Sequence, residues 1–283
     1  MVKVLSTGFY TTVQDLGRFG FQEFGVPYSG VMDERAARLA NALLGNDPQD
    51  AVLEQTMTGS TLRFDVDTYI AITGANMQPK LDERPVELNR IVKVSQGSVL
   101  SFSASKRGFR SYLGVSGGFG SPNILESRSM YSPVTRENVI KKGDGLIISK
   151  VERSITLSHS HLKVDTAYLD SNIIDVHEGP EYEYLDSEQK KKLLDMSFLI
   201  SKNNSRMAYQ LDETFSNNLE PILTSGVFPG TVQLTPSGKL IVLMKDCQTT
   251  GGYPRVMQLT KEAISVLAQK YQGQKIKFNL LKY

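Results

Sequence analysis

The stretch TVQLTPSGKLIVLM, residues 231–244, contains two apolar runs that flank a short turn. The runs Thr231–Leu234 and Lys239–Met244 are strand-sized and rich in Val, Ile and Leu, and the Pro-Ser-Gly between them favours a turn. Two such runs predict adjacent strands. The same rhythm of strands and turns recurs along the chain, so we predict a mainly β protein. The other predicted strands are Thr61–Phe64, Tyr69–Thr73, Val99–Phe102, Arg110–Val115, Leu146–Ile148, Ile155–Leu157 and Ile173–His177.

Three stretches depart from this rhythm and have helical spacing. The first runs from Asp33 to Leu44. Asp33 can cap its start, and Gly45 directly after Leu44 can end it. The second follows Asp186, with Gln189 placed for a capping box. The third starts after Thr260 and stops at Gly273. A few helices added to many strands predict an α+β class.

The composition excludes several classes of protein. The 283 residues are 40% hydrophobic and 22% charged, close to the average of globular proteins, which argues against a disordered or fibrous chain. The formal net charge is only +2, so we expect no nucleic-acid partner. The longest apolar runs, such as Leu240–Met244, are too short to span a membrane. A single cysteine and an N-terminus without a signal-peptide pattern predict a cytoplasmic protein.

No Pro-rich linker or charge block divides the chain. The most suitable boundary follows the turn at 142–145 and precedes the polar stretch Ser158–Asp170. We therefore predict an N-terminal subdomain over residues 1–160 and a C-terminal subdomain over 161–283.

Standard nucleotide motifs are absent from the sequence. The stretch Gly230–Lys239 has the wrong spacing for a phosphate loop, and the glycines of 114–120 do not form a dinucleotide fingerprint. We therefore interpret both as strands and turns.

The histidines and the cysteine give little support to metal or nucleophilic chemistry. His159 and His161 would share one face of a strand, but no third ligand is apparent nearby, so a solvated strand or loop is favoured over a metal site. The neighbours of His177 are typical of a turn. A buried, inert thiol is favoured for Cys247 over a nucleophile. We predict no metal site in this chain.

Three loops are dense in glycine and small polar residues, and each could be either a plain turn or part of a binding site. They are Thr11–Asp33, Thr73–Asn76 and Asp246–Pro254. Glycine lets the backbone approach a ligand, while Thr, Gln and Asn supply neutral hydrogen-bonding groups. Such loops suit a polar, amide-like substrate.

At these loops the sequence resembles the family of the 5-oxoprolinase C subunit, which is also called allophanate hydrolase subunit 2 or biotin-dependent carboxyltransferase domain. The resemblance covers nearly the whole chain. Its main segments are TTVQDLGRFGFQEFGVPYSGVMDERAARLANALLGN (Thr11–Asn46), ITGANM (Ile72–Met77), RGFRSYLGVSGGF (Arg107–Phe119), SRSMY (Ser127–Tyr131), VHEGPE (Val176–Glu181), SRMAYQL (Ser205–Leu211) and PILTSGVFPGTVQLTPSGKLIVLMKDCQTTGGYP (Pro221–Pro254).

The resemblance implies two β-barrel-like subdomains, of which the C-terminal one is cyclophilin-like. It also implies a hetero-oligomer in which this chain assembles with two other proteins, a B-type, kinase-inhibitor-like subunit and an A-type subunit. That complex would open 5-oxoproline to L-glutamate with ATP, which acts at the level of the complex, and this chain would be inactive or weak alone.

Two other functions are compatible with the same resemblance. One is a carboxyltransferase component of a biotin-dependent urea or amide carboxylase, with biotin carried by a partner. The other is a regulatory antagonist of a histidine-kinase inhibitor, which would act only by sequestering its partner.

The resemblance also implies site residues. Gln14, Asp15 and Arg18 would lie around the substrate or at the contact with the partner, and Asn76 would recognise a carbonyl or amide. Substrate-binding candidates are Arg128 and Ser129, which would hold an anion, and the residues of a pocket in the C-terminal barrel, namely Gln233, Gln248, Thr249, Thr250, Gly251, Gly252 and Tyr253. A structural role is the alternative for each, such as a turn-stabilising pair of Asp15 and Arg18, a bridge between subdomains through Arg128, or a tight bend at Gly251-Gly252.

Four positions depart from the family pattern. Glu126 stands where glycine is usual and Met130 where threonine is usual. Ala208 and Gln210 replace glycine and arginine, and glutamine offers hydrogen bonds without charge. These departures affect the expected substrate more than the expected fold.

Overall fold

The computed structural model describes residues 1–148 and 164–282. The predicted strand Ile155–Leu157, both histidines of the 159–161 pair and the boundary at 160–161 lie outside the described residues, so these predictions stay open. The chain forms two compact units. The first unit comprises Met1–Arg18 and Ser29–Asp170, and the second comprises Phe19–Tyr28 and Ser171–Tyr283.

Two sheets contain the strands of the first unit. One sheet has the strand order β11-β1-β4-β9-β6-β7, and the other has the order β2-β3-β10-β5-β8. The core between apolar strand faces includes Phe64, Ile70, Leu113 and Phe119. The strands are β1 (Val2–Ser6), β2 (Tyr10–Gln14), β3 (Val52–Thr56), β4 (Thr61–Phe64), β5 (Thr68–Asn76), β6 (Lys80–Leu81), β7 (Arg84–Pro85), β8 (Ile91–Val94), β9 (Val99–Ser101), β10 (Arg107–Val115) and β11 (Gly145–Leu146).

Helix α1 (Glu34–Leu44) packs against β5 and β10, as the sequence predicts for its apolar face. Asp33 caps its first turn by accepting from the Ala36 backbone N–H, and Gly45 ends it in the left-handed conformation. Gly114 of β10 permits the close packing, because a Cβ there would lie 3.1 Å from Leu44 Cδ1 and would crowd the helix. The helix thereby holds its N-terminus over β3 and β10.

The second unit contains a closed barrel with the strand order β12-β19-β16-β17-β14-β13-β20. The predicted pair Thr231–Leu234 and Lys239–Met244 is confirmed as the hairpin of β16 and β17, in which Leu234 faces Leu240. A small separate sheet pairs β15 with β18. The strands are β12 (Ile173–Glu178), β13 (Phe198–Asn204), β14 (Ala208–Thr214), β15 (Ser225–Gly226), β16 (Thr231–Leu234), β17 (Lys239–Leu243), β18 (Thr250–Gly251), β19 (Arg255–Leu259) and β20 (Lys275–Leu280).

The second unit also carries helices α2 (Ser187–Asp195) and α3 (Lys261–Ala268). The predicted capping box at the start of α2 is confirmed, since Asp186 and Gln189 bond reciprocally. Helix α3 ends at Ala268, before the predicted Gly273. Lys270 N donates to Leu267 O, three residues back, so the backbone tightens there and leaves the α-helix.

These elements confirm the mainly β class with a few helices and the barrel in the C-terminal part. Short 3₁₀ turns occur at Gln22–Phe24, Ala167–Leu169 and Tyr182–Tyr184. Within residues 1–148 and 164–282, no helix is long and apolar enough to cross a bilayer.

Candidate functional site

Asp15, which follows β2, is the acceptor of a buried hydrogen-bond cluster in the first unit. Its Oδ1 accepts from the hydroxyls of Ser127 and Ser129, both at 2.6 Å, and from Gly17 N at 2.9 Å. Its Oδ2 accepts from Arg128 N at 2.5 Å. One carboxylate therefore fixes the segment 127–129 against the end of β2.

Gln14 and Arg18 bind the same segment from either side of Asp15. Arg18 is fully buried and donates from Nη2 to Ser129 O at 2.5 Å and from Nε to Ile124 O at 3.2 Å. Gln14 Nε2 donates to Met130 O at 3.0 Å. The structure thus brings these two residues together with Asp15 and the predicted anion-holding segment.

Arg128 and Ser129 are themselves engaged with protein groups. Ser129 Oγ bonds both the carboxylate and the backbone N–H of Asp15, and Arg128 Nη1 donates to Ser121 O. A structural role accounts for each of these contacts, so anion binding by this segment stays a prediction. Glu126 adopts a left-handed φ of 59°, a conformation that glycine tolerates best.

Asn76 lies elsewhere in the first unit. It ends β5, which is separated from β2 by β3 and β10, about 14 Å across the sheet at the usual strand spacing. Asn76 is in register with Arg107, while Gln14 is in register with Val52 toward the other end of the sheet. The residues predicted in the N-terminal part therefore lie in two separate clusters, one around Asp15 and the other at Asn76. Asn76 lines a cavity of about 740 Å³.

A second buried polar network of the first unit was not predicted from the sequence. Glu54 Oε2 accepts from Met32 N at 2.7 Å and from Tyr112 Oη at 2.8 Å, and Tyr112 Oη accepts from Asp33 N at 2.8 Å. Arg110 Nε lies 3.8 Å from Glu54 Oε1. Burial, followed by the charge of Glu54, raises the pKa of Tyr112 well above its ordinary value, so the phenol stays a donor. The sequence signal that could have predicted this network is a charged residue, Glu54, inside the buried strand β3.

Tyr168 extends this network to the other oxygen of Asp33. Its Oη donates to Asp33 Oδ2 at 2.7 Å, and the Arg35 guanidinium lies 4.5 Å from the centre of its ring. Arg35 also pairs with Asp165 at 3.3 Å. Burial, followed by the charge of Asp33, raises the pKa of Tyr168. The segment 165–168 is thereby tied to the start of α1.

In the second unit, Gln233 on β16 meets the predicted loop at Gly251 and Tyr253. Gln233 is buried, and its Nε2 donates weakly to Tyr253 O at 3.4 Å. A Cβ at position 251 would lie 2.4 Å from Gln233 Nε2, so a larger residue there would displace the Gln233 amide. The loop is further held by backbone bonds from Val227 N to Thr249 O and from Ile222 N to Gly252 O.

The exposed members of this loop are Gln248, Thr250 and Tyr253. Cys247 beside them is buried, and burial followed by the charge of Asp246 raises the pKa of its thiol to about 12. Such a thiol is protonated and inert at neutral pH, as the sequence favours.

Arg255 and Glu181 form an ion pair that was not singled out in the sequence. Arg255 donates from Nε to Glu181 Oε2 at 2.9 Å and from Nη2 to Oε1 at 2.7 Å, and a further donor, Nη1, reaches Ser225 Oγ at 2.5 Å. The hydrogen bonds from Arg255 lower the pKa of Glu181. His177 belongs to strand β12, where it pairs with Gln258. Among the described residues, no group of three His, Cys, Asp or Glu side chains could hold a metal ion.

Comparisons with known proteins place this arrangement in a family. The model for the carboxyltransferase domain, subdomain A and B, matches residues 24–280. The 5-oxoprolinase C subunit of Escherichia coli K12 is 34% identical over 98% of this chain and 90% of its own length. The protein of the same name in Haemophilus influenzae is 31% identical with the same coverage. A putative urea carboxylase of Emericella nidulans is 31% identical over 98% of this chain but only 24% of its own length.

The fold is similar to that of solved structures. The crystal structure of TTHA0988 superposes with a TM-score of 0.88 at 25% identity and covers 98% of this chain. This chain spans 55% of the length of that protein, about half. Since both the sequence model and full-length relatives match, the chain belongs to the carboxyltransferase domain family, subdomain A and B.

Proposed function

We propose that this chain is a subunit of an ATP-dependent 5-oxoprolinase, which opens the lactam of 5-oxoproline to give L-glutamate. The observation that carries the proposal is the match to the 5-oxoprolinase C subunit of Escherichia coli, 34% identical over 98% of this chain and 90% of that protein. This chain thus resembles nine-tenths of the protein that carries that name.

The chemistry of the candidate residues is compatible with this reaction. Opening a lactam requires that its carbonyl be made electrophilic and that negative charge on its oxygen be stabilised. Asn76 and Gln248 offer neutral N–H donors, which suit an amide without ionising it. The more deeply bonded residues Gln14, Asp15 and Arg18 would act by fixing the segment 127–129 or at the contact with a partner.

In the proposed function, ATP acts at the level of the complex. The cavity beside Asn76 has two cations, Lys80 and Arg90, and each lies beside a glutamate, at 3.9 Å from Glu83 and 2.7 Å from Glu87. Two such paired cations suit one carboxylate better than a triphosphate. We therefore propose that this chain is inactive or weak alone and acts with A-type and B-type partner proteins of the same complex.

The test is reconstitution with both partner proteins and measurement of ADP and L-glutamate. We expect both products to form only when 5-oxoproline and this chain are present. The Escherichia coli C subunit, added in place of this chain to the same partners, is the positive control. Turnover with that control and none with this chain would contradict the proposal.

Site variants in the same assay separate the candidate residues. Gln248→Ala and Tyr253→Phe change exposed side chains, so the fold should persist, and a role at the substrate would change KM or kcat. Gln272→Ala, an exposed glutamine of the same unit outside the candidate loop, is the matched control.

A second candidate function is carboxyl transfer in a biotin-dependent urea or amide carboxylase. It is favoured by the putative urea carboxylase, which matches 98% of this chain. In that case a partner carries biotin, and transfer of label from bicarbonate to an amide would identify the reaction.

A further inference from the structure

A cavity of the first unit, the one that Asn76 lines, surrounds the β6–β7 hairpin and the loop that follows it. Its volume is about 740 Å³, within the usual range of about 300–1,000 Å³ for small-molecule sites. Its polar lining comprises Asn76, Gln78, Lys80, Glu87, Asn89 and Arg90.

Asn76 is held in one orientation at the edge of this cavity. Its Oδ1 accepts from the Gln78 backbone N–H at 2.9 Å, which identifies the oxygen and leaves the two Nδ2 N–H groups on the other side of the amide. Over residues 1–148 and 164–282, Nδ2 has no hydrogen-bond acceptor in the protein. These donors are therefore available to a ligand, and an amide carbonyl is a suitable acceptor.

Two lining residues have left-handed backbone conformations. Gln78 and Asn89 adopt φ angles of 51° and 59°, which is uncommon for glutamine, while asparagine adopts such angles more readily than most residues. Asn89 N donates to Ile72 O at 2.8 Å, while its side-chain amide has no protein partner within the described ranges. The unpaired amide of Asn89, like the Nδ2 group of Asn76, is therefore available to a ligand in the cavity.

The charge of the lining favours a ligand with a single negative charge. Lys80 and Arg90 are cationic and Glu87 is anionic, which leaves one positive charge among the lining residues. Glu87 occupies Nε of Arg90 at 2.7 Å, so the terminal nitrogens remain for a second carboxylate. Lys80 is held only loosely, at 3.9 Å from the largely exposed Glu83.

We propose that this cavity binds a small amide that carries one carboxylate. Asn76 Nδ2 donates to the amide carbonyl, Asn89 bonds the remaining polar edge of the ligand, and Arg90 with Lys80 binds the carboxylate. The choice of L-5-oxoproline as the probe rests on the proposed function, since it is a lactam with one carboxylate.

The experiment is a titration of the full chain with L-5-oxoproline, followed by NMR of the side-chain amide groups of Asn76 and Asn89. We expect saturable shifts of both signals. Asn76→Asp keeps the acceptor for Gln78 N but removes the donors, and Arg90→Gln removes the cation. Each should weaken binding roughly tenfold or more. Arg84→Gln, on the same hairpin but outside this cavity, is the matched control and should bind normally.

Two further probes test the chemical class of the ligand. The lactam 2-pyrrolidinone lacks the carboxylate, and acetate lacks the amide, so both should bind at least about tenfold more weakly than L-5-oxoproline. Equal binding of 2-pyrrolidinone would overturn the role of Arg90 and Lys80.

The outcomes separate this proposal from the proposed function. The proposed binding in this cavity is overturned if Asn76 and Asn89 show no saturable shifts. It is also overturned if binding is lost in Gln248→Ala but kept in Asn76→Asp and Arg90→Gln. Either result counts even if the reconstituted complex turns over 5-oxoproline. Specific binding with the expected variant effects supports the cavity, and a complex that then shows no turnover contradicts the proposed function alone.

Discussion

Tyr168 Oη donates a 2.7 Å hydrogen bond to Oδ2 of Asp33, the same carboxylate whose Oδ1 caps helix α1. One side chain thus fixes the start of the helix and the segment around residue 168. Tyr168→Phe leaves Asp33 Oδ2 without this donor, and we expect a loss of about 1–3 kcal/mol in the free energy of unfolding. Urea denaturation followed by far-UV circular dichroism measures it.

The control for that prediction is Tyr69→Phe in the same unit. The Tyr69 hydroxyl has no hydrogen bond within the described part of the chain, so its removal should cost less than about 0.5 kcal/mol. Equal effects of the two variants would show that the contact with Asp33 contributes nothing.

Asp15→Asn should destabilise the chain more than Ser129→Ala. The carboxylate accepts from four donors, and an amide NH₂ in its place faces at least one of these N–H or O–H groups. We expect a loss of about 2–4 kcal/mol for Asp15→Asn and about 1 kcal/mol for Ser129→Ala. A stable Asp15→Asn protein that fails only in turnover would instead assign Asp15 to the reaction.

Glu126→Gly should stabilise the chain. Leu125 and Glu126 have φ angles of 53° and 59° between the bridged residues Ile124 and Ser127, a turn that prefers glycine at its second central position. Relief of the left-handed strain exceeds the extra entropy of the unfolded glycine, and we expect a gain of roughly 0.5–1 kcal/mol. Glu126→Ala keeps the Cβ and should give no such gain; a rise in Tm for both variants would refute the argument.

Glu181 should contribute to acid unfolding of the second unit. Its pKa in the folded state lies below the ordinary value of 4.5, because Arg255 donates hydrogen bonds to the carboxylate. The unfolded state therefore binds more protons, so this contribution is present above pH 4.5 and is lost as the pH falls through the folded pKa. Glu181→Gln should flatten the fall of unfolding free energy below that pH. An unchanged slope would exclude the pair as a source of acid sensitivity.

Cys247 should resist alkylation in the folded protein. Its thiol is buried and its pKa is raised to about 12, so almost no thiolate exists at pH 8. Iodoacetamide labelling followed by mass spectrometry should be slow in buffer and fast in urea. Rapid labelling of the native chain would contradict the buried, protonated state.

Local signals made the helices predictable from the sequence. The start of α1 depends on Asp33 and its end on Gly45. The capping bonds of each residue go to backbone groups within about one helical turn of its own position. The end of α3 was placed too late, at Gly273. Nothing local to Ala268 signals a stop, and the backbone there tightens into three-residue turns in spite of favourable helical residues.

The polar networks were harder to predict because their partners are distant in the chain. Tyr112 lies 58 residues from Glu54, and Tyr168 lies 135 residues from Asp33. The resemblance identified Asp15 and Ser129 as site residues with separate roles, and it could not tell that these residues, 114 positions apart, bond each other. It also singled out Asn76 without the cavity beside it, since Arg90 and Lys80 reach that cavity only through the fold of the β6–β7 hairpin.

The division of the second unit between Phe19–Tyr28 and Ser171–Tyr283 has a consequence for biosynthesis. The ribosome synthesises the first of these segments long before the second, and β20, which pairs with both β12 and β13 to close the barrel, follows all other barrel strands in the sequence. The barrel therefore cannot close before residues 275–280 have been synthesised, and residues 19–28 are made long before the rest of their unit. Expression of residues 171–283 alone would omit part of the unit, so a fragment intended to fold needs both segments joined.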